Sequence, residues 1–95
     1  MPEDQPYHKK SWILYDIVEI YFSMSYLDTA FRVAKTIFNK ELKSRALRTI
    51  LEIYIPKVKG SEEAFVKATD IANTAPCETT KAAWLEEISN ARGNT

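Results

Sequence analysis

The chain has one cysteine, Cys77, in 95 residues, so no intrachain disulfide can form. That excludes a disulfide-framed secreted domain. There is one histidine, His8, and metal sites need several ligands at fixed spacing, which are missing. Two glycines, Gly60 and Gly93, cannot build a phosphate-cradling loop. With only four prolines beside them, turn residues are too few for an all-β fold with many hairpins. The most apolar run, Trp12 to Phe22, is interrupted by Asp16 and Glu19 and is too short to span a bilayer. The opening Met1-Pro2-Glu3-Asp4-Gln5-Pro6 is acidic and has no apolar stretch, so it does not read as a signal peptide. A cytoplasmic location is expected. The formal net charge is zero, so the chain as a whole is not an electrostatic binder of nucleic acid or membranes. Glutamine occurs once, at Gln5, and isoleucine is abundant, a composition expected of a thermophilic source.

What is present is ordinary globular composition, 45% hydrophobic and 27% charged, in the length of one domain. The chain also repeats itself. Lys10-Ser11-Trp12-Ile13-Leu14-Tyr15-Asp16-Ile17-Val18-Glu19-Ile20-Tyr21 aligns with Lys43-Ser44-Arg45-Ala46-Leu47-Arg48-Thr49-Ile50-Leu51-Glu52-Ile53-Tyr54 at seven of twelve positions, an offset of 33. Roughly one match is expected by chance. Ala30-Phe31, Ala34 and Ile37 then match Ala64-Phe65, Ala68 and Ile71, and a shorter third copy opens at Lys81 with Leu85 and Ile88. A period of this size marks a helical repeat array.

Each copy reads as two helices. Ile13, Leu14, Ile17, Ile20 and Tyr21 share one arc at helical spacing, as do Ala46, Leu47, Ile50, Ile53 and Tyr54. Ser25-Tyr26-Leu27-Asp28 has capping-box spacing, and Asn39 can cap the third helix. Pro56 stops that helix, since the residue before proline avoids helical geometry. Ser61 caps a fourth helix that opens with Glu62 and Glu63, Thr79 caps a fifth, and Gly93 stops it. The expected helices are 9–23, 26–38, 41–55, 62–73 and 80–92. The expected organisation is a flexible arm over 1–8, a single repeat domain over 9–92 and a tail over 93–95. The expected core includes Leu14, Ile17, Tyr21, Ala34, Ile37, Leu47, Ile50, Tyr54, Ala68, Ile71, Leu85 and Ile88.

The Ala30/Ala34/Ile37 second helix followed by Lys43-Ser44-Arg45-Ala46-Leu47 resembles the tetratricopeptide-repeat superfamily, in a divergent prokaryotic or archaeal form. Tyr21 and Tyr54 match the family's tyrosine late in the first helix, Ala30 and Ala64 its early small residue, and Pro76 its closing proline. The resemblance spans about residues 10–92 as two and a half repeats. It implies an all-α fold: antiparallel helix hairpins forming a short right-handed α-solenoid of about five helices. It also implies a protein-binding role.

Nothing points to an enzyme or a cofactor. Cys77 has no histidine near it in sequence to act as a base. Glu62-Glu63 and Glu86-Glu87 are adjacent on helices and point apart, so they are not dyads. Glu19 and Glu52 recur at one repeat position, but packed helices lie about 8–10 Å apart, too far to share a proton. A glycosidase-like spacing is the only acid–base use open to them, and no other feature accompanies it. The expected role of these carboxylates is pairing with lysine or arginine on a solvated face.

Residues 35–59 carry seven basic and two acidic side chains, a net of +5, between segments of −2 and −3. An anionic partner, including RNA, is one reading of that segment. An ordinary solvated surface is favoured over it. Trp12, with Tyr15 and Phe22 at the margin, falls outside the apolar arc of the first helix. The expected partner-binding residues are Trp12, Tyr15 and Glu19 with Arg45, Arg48 and Glu52, suited to a peptide or helix bearing acidic and apolar groups. A homodimer through the apolar first helix, using Trp12, Tyr15 and Phe22, is the alternative.

Overall fold

The computed structural model describes the backbone from residue 6 to residue 93 and side-chain burial from residue 9. Five α-helices form it: α1 (Pro6–Ser23), α2 (Leu27–Ala34), α3 (Lys40–Tyr54), α4 (Glu62–Asn73) and α5 (Glu78–Gly93). A 3-10 turn, Ile55–Lys57, follows α3. No strand occurs among the described residues, in keeping with the helical periodicity of the sequence. None of the described helices is long and apolar enough to cross a membrane. The chain divides into two compact units, residues 1–47 and 48–95, with α3 running through the boundary.

The helix ends follow local chemistry. α1 starts at Pro6, inside the segment expected to be a flexible arm, because proline has no N–H to lose in a first turn. The first five residues of that arm lie outside the described residues. α1 closes with Ser25 N–H donating to the Phe22 carbonyl at 3.0 Å and Tyr26 N–H to the Tyr21 carbonyl at 2.9 Å. This paired closure places Ser25 in the left-handed region, φ 67°. The capping box expected at Ser25 therefore does not form. Tyr26 occupies the cap position of α2 with no side-chain hydrogen bond. Asn39 does cap α3, its Oδ1 accepting from Leu42 N–H at 3.0 Å. Ser61 caps α4 by accepting from Ala64 N–H at 3.1 Å. The residue before Pro56, Ile55, has already left α3 for the 3-10 turn. Thr79 is not the cap of α5. The helix opens one residue earlier, at Glu78, where an acid suits the positive helix end.

In the first unit α1 packs on α2, with Ser11, Val18, Ala30, Ala34, Ile37, Leu42, Ala46 and Leu47 buried. In the second, α4 packs on α5 and on the 3-10 turn, burying Ile50, Leu51, Val58, Ala64, Ala68, Ile71, Ala72, Trp84 and Ile88. Alanines at equivalent positions of α2 and α4, Ala30 and Ala34 with Ala64 and Ala68, are buried.

The inner face of α1 differs from the expected arc. Ile13 is 59% exposed and Ile20 57%. Leu14, Ile17 and Tyr21 are only half-buried, while Ser11 and Val18 are fully enclosed. The buried line runs Ser11, Leu14 and Tyr15, Val18, Tyr21 and Phe22, at helical spacing but on the opposite side from Ile13 and Ile20. The reason lies at Ser11. Its hydroxyl accepts the backbone N–H of Asn39 at 3.0 Å, so a polar residue is satisfied in the core and fixes which side of α1 faces inward.

Candidate functional site

Four of the six expected binding residues come together in the first unit. Trp12 sits on the exposed side of α1 and is 44% exposed, a large apolar ring left in water. Tyr15, one helical turn on, meets it edge to face, with ring centroids 5.9 Å apart and planes at 82°. Tyr15 also hydrogen-bonds Glu19, one more turn along. Burial first, then that carboxylate, pushes its hydroxyl above the ordinary 10.0. Arg45, from the start of α3, acts on the same hydroxyl in the opposite sense. Its guanidinium Nη2 lies 3.4 Å from Glu41 Oε2, both side chains being exposed.

Trp12, Asn39, Glu41, Leu42 and Arg45 line one shallow recess of about 120 Å³, open to solvent. Two part-buried hydrogen bonds hold Asn39 in its lining. Asn39 is fixed twice, by its cap on α3 and by its N–H to Ser11, and Leu42 is buried beneath. An indole and an arginine are among the side chains that line it. Such a recess can receive one apolar side chain against the indole and one carboxylate at the guanidinium.

Arg48 and Glu52 are placed otherwise. Arg48 Nε donates to Glu52 at 3.0 Å, while Nη1 and Nη2 donate to the two Glu87 oxygens at 2.8 and 3.1 Å. This fork joins α3 to α5 in the second unit. It holds the Glu87 carboxyl below its usual range, Arg48 being the first cause, and raises Arg48. The guanidinium is therefore occupied by the protein's own carboxylates. Glu87 carried no signal in the sequence, since it lies 39 residues from Arg48 and beside an equally acidic Glu86. Asn39 and Leu42 were legible as a cap and an apolar residue, but not as the lining of a recess. Phe22 is half-buried on the inner side of α1.

Within the basic segment, Lys35 Nζ lies 4.8 Å over the Phe31 ring, and Arg45 and Arg48 are ion-paired. Cys77 is exposed. No cluster of three or more His, Cys, Asp or Glu able to hold a metal occurs among the described residues. Compared with known protein families, curated proteins and solved structures, the chain matches none.

Proposed function

We propose that this chain is a non-enzymatic protein-interaction module of the tetratricopeptide-like repeat type. Its partner site is the recess between Trp12 and Arg45, with Tyr15 and Glu19 beside Trp12 along α1. The observation that carries the reading is the exposed indole of Trp12, braced by Tyr15 and lining one recess with Arg45, buried Leu42 and doubly bonded Asn39. A solvent-exposed aromatic on a rigid support loses little conformational entropy on binding, which is why such residues dominate interface energies. Arginine beside it selects a carboxylate, which it can grip with two parallel N–H donors. The favoured ligand is a peptide or helix that presents an apolar side chain and an acidic one within a turn of each other. The repeat reading is supported by the 33-residue offset and by the buried alanine pairs of α2 and α4.

The test is a selection from a random displayed-peptide library on the immobilised full chain. Enriched sequences should share an apolar residue within about four positions of Asp or Glu, one helical turn. Trp12→Ala and Arg45→Ala should each weaken the selected peptides roughly tenfold, as loss of a buried aromatic or a charge-assisted bond does. Peptides that bind both variants as tightly as the parent would contradict the assignment.

A further inference from the structure

A second surface lies on α1, on the side away from the core. Ile13, Ile17, Ile20 and Met24 fall within an arc of about 60° at 3.6 residues per turn. Met24 lies just past Ser23, and its N–H still bonds the Ile20 carbonyl at 3.2 Å, so the stripe is continuous. Ile13, Ile20 and Met24 are exposed, the last by 48%, and Ile17 is half-buried. The internal repeat shows what this side of such a helix is for. The equivalents of Ile13 and Ile17 in α3 are Ala46 and Ile50, which are 1% and 0% exposed.

The charge pattern of α1 names the occupant. α1 has no acidic residue in its first turn and no basic residue in its last, while α2, α3, α4 and α5 all open with an acid. Instead α1 carries Lys9 and Lys10 near its positive end, both exposed and flanking the stripe on either side. By itself this opposes the helix dipole. An antiparallel copy of α1 reverses the sign of that effect. It brings each Lys9-Lys10 pair to the other copy's carbonyl end, which has no cation of its own, and toward the Asp28 that follows it.

We propose that α1 is a self-association face, and that two copies of the chain pair antiparallel through Ile13, Ile17, Ile20 and Met24. Ile17 of each copy lies opposite Ile20 of the other, and Ile13 opposite Met24. The contact is isologous, the same patch on both copies. It uses a different side of α1 from Ser11 and Val18, and it does not rest on the partner-site reading. A stripe one helix wide belongs with the small, weak interfaces, so dissociation on the order of 10–100 µM is expected.

Sedimentation equilibrium of the full chain up to about 500 µM, above the dissociation range expected for a small interface, tests this. The unaltered protein should move from 10.9 kDa toward twice that mass. Ile13→Glu with Ile20→Glu should remain monomeric throughout with an unchanged far-ultraviolet helical spectrum, since both positions are exposed. Lys9→Glu with Lys10→Glu should weaken the dimer roughly tenfold, and Trp12→Ala should leave it intact. An unaltered protein that stays monomeric would overturn the proposal, and so would a dimer that survives Ile13→Glu with Ile20→Glu. A lysine double variant that dimerises as tightly as the parent would overturn the antiparallel arrangement.

Discussion

Ser25 holds a left-handed backbone with a side chain that does not favour it. The conformation costs an ordinary residue about 1–2 kcal/mol, and glycine about nothing sterically, though glycine loses more freedom on folding. Ser25→Gly should therefore stabilise the protein by about 0.5–1 kcal/mol in urea unfolding. The sequence suggested a cap at Ser25 because serine followed three residues later by an acid is the capping-box pattern. The same serine can instead close the preceding helix, and only the paired hydrogen bonds to Tyr21 and Phe22 decide between the two. Asn39 and Ser61 had no such competing role and cap as their identities suggest. The Arg48–Glu87 fork is a second residue-scale device. Glu87 is held below its usual 4.5 in the folded chain, so its contribution is present above that value and is lost as pH falls through the folded one. Both side chains are part-exposed, so the pair is worth about 1 kcal/mol. Glu87→Gln should lower stability by about that much at neutral pH. The gap between variant and parent should close as the pH is taken well below 4.5. A gap independent of pH would remove the ion pair as its cause.

At the scale of the element, α3 was legible and α1 was not. α3 alternates apolar and charged positions cleanly, and Ala46, Leu47 and Ile50 are buried where the periodicity placed them, with Leu51 beside them. α1 is apolar nearly all round from Trp12 to Phe22, so periodicity alone could not choose a face. The isoleucines Ile13, Ile17 and Ile20 drew the expected arc away from the true line, whose key member is a serine. A polar residue that accepts a backbone N–H from 28 positions away leaves no local trace. The consequence is opposite behaviour at two similar residues. Leu51→Ala should cost about 2–5 kcal/mol, as a cavity in a closed core does. Ile13→Ala should stay within about 0.5 kcal/mol in dilute solution, as surface changes usually do. Chemical denaturation of the two variants side by side checks this, and a large loss at Ile13 would mean its side of α1 is covered.

For the whole molecule, the all-helical class and the five helices were readable from the internal repeat, which imposes the same two-helix pattern on each copy. The candidate site was readable in part. Trp12, Tyr15, Glu19 and Arg45 gather as their repeat positions suggested, because Tyr15 and Glu19 follow along α1 from Trp12 while Arg45 rises from the adjoining start of α3. Arg48 and Glu52 do not join them, because a carboxylate on α5 claims the arginine, and pairing between distant helices is not written in either segment alone. The two tryptophans offer a direct readout of the proposed site, since Trp12 is exposed and lines it and Trp84 is buried in the other unit. The decisive measurement is a titration of the isotope-labelled chain with a selected acidic–apolar peptide, following the two indole N–H resonances by nuclear magnetic resonance. The Trp12 resonance should shift progressively to saturation, with the shift weakened roughly tenfold in affinity by Arg45→Ala, while the Trp84 resonance stays in place. A peptide that binds and leaves Trp12 unmoved would contradict the assignment of this recess as the partner site.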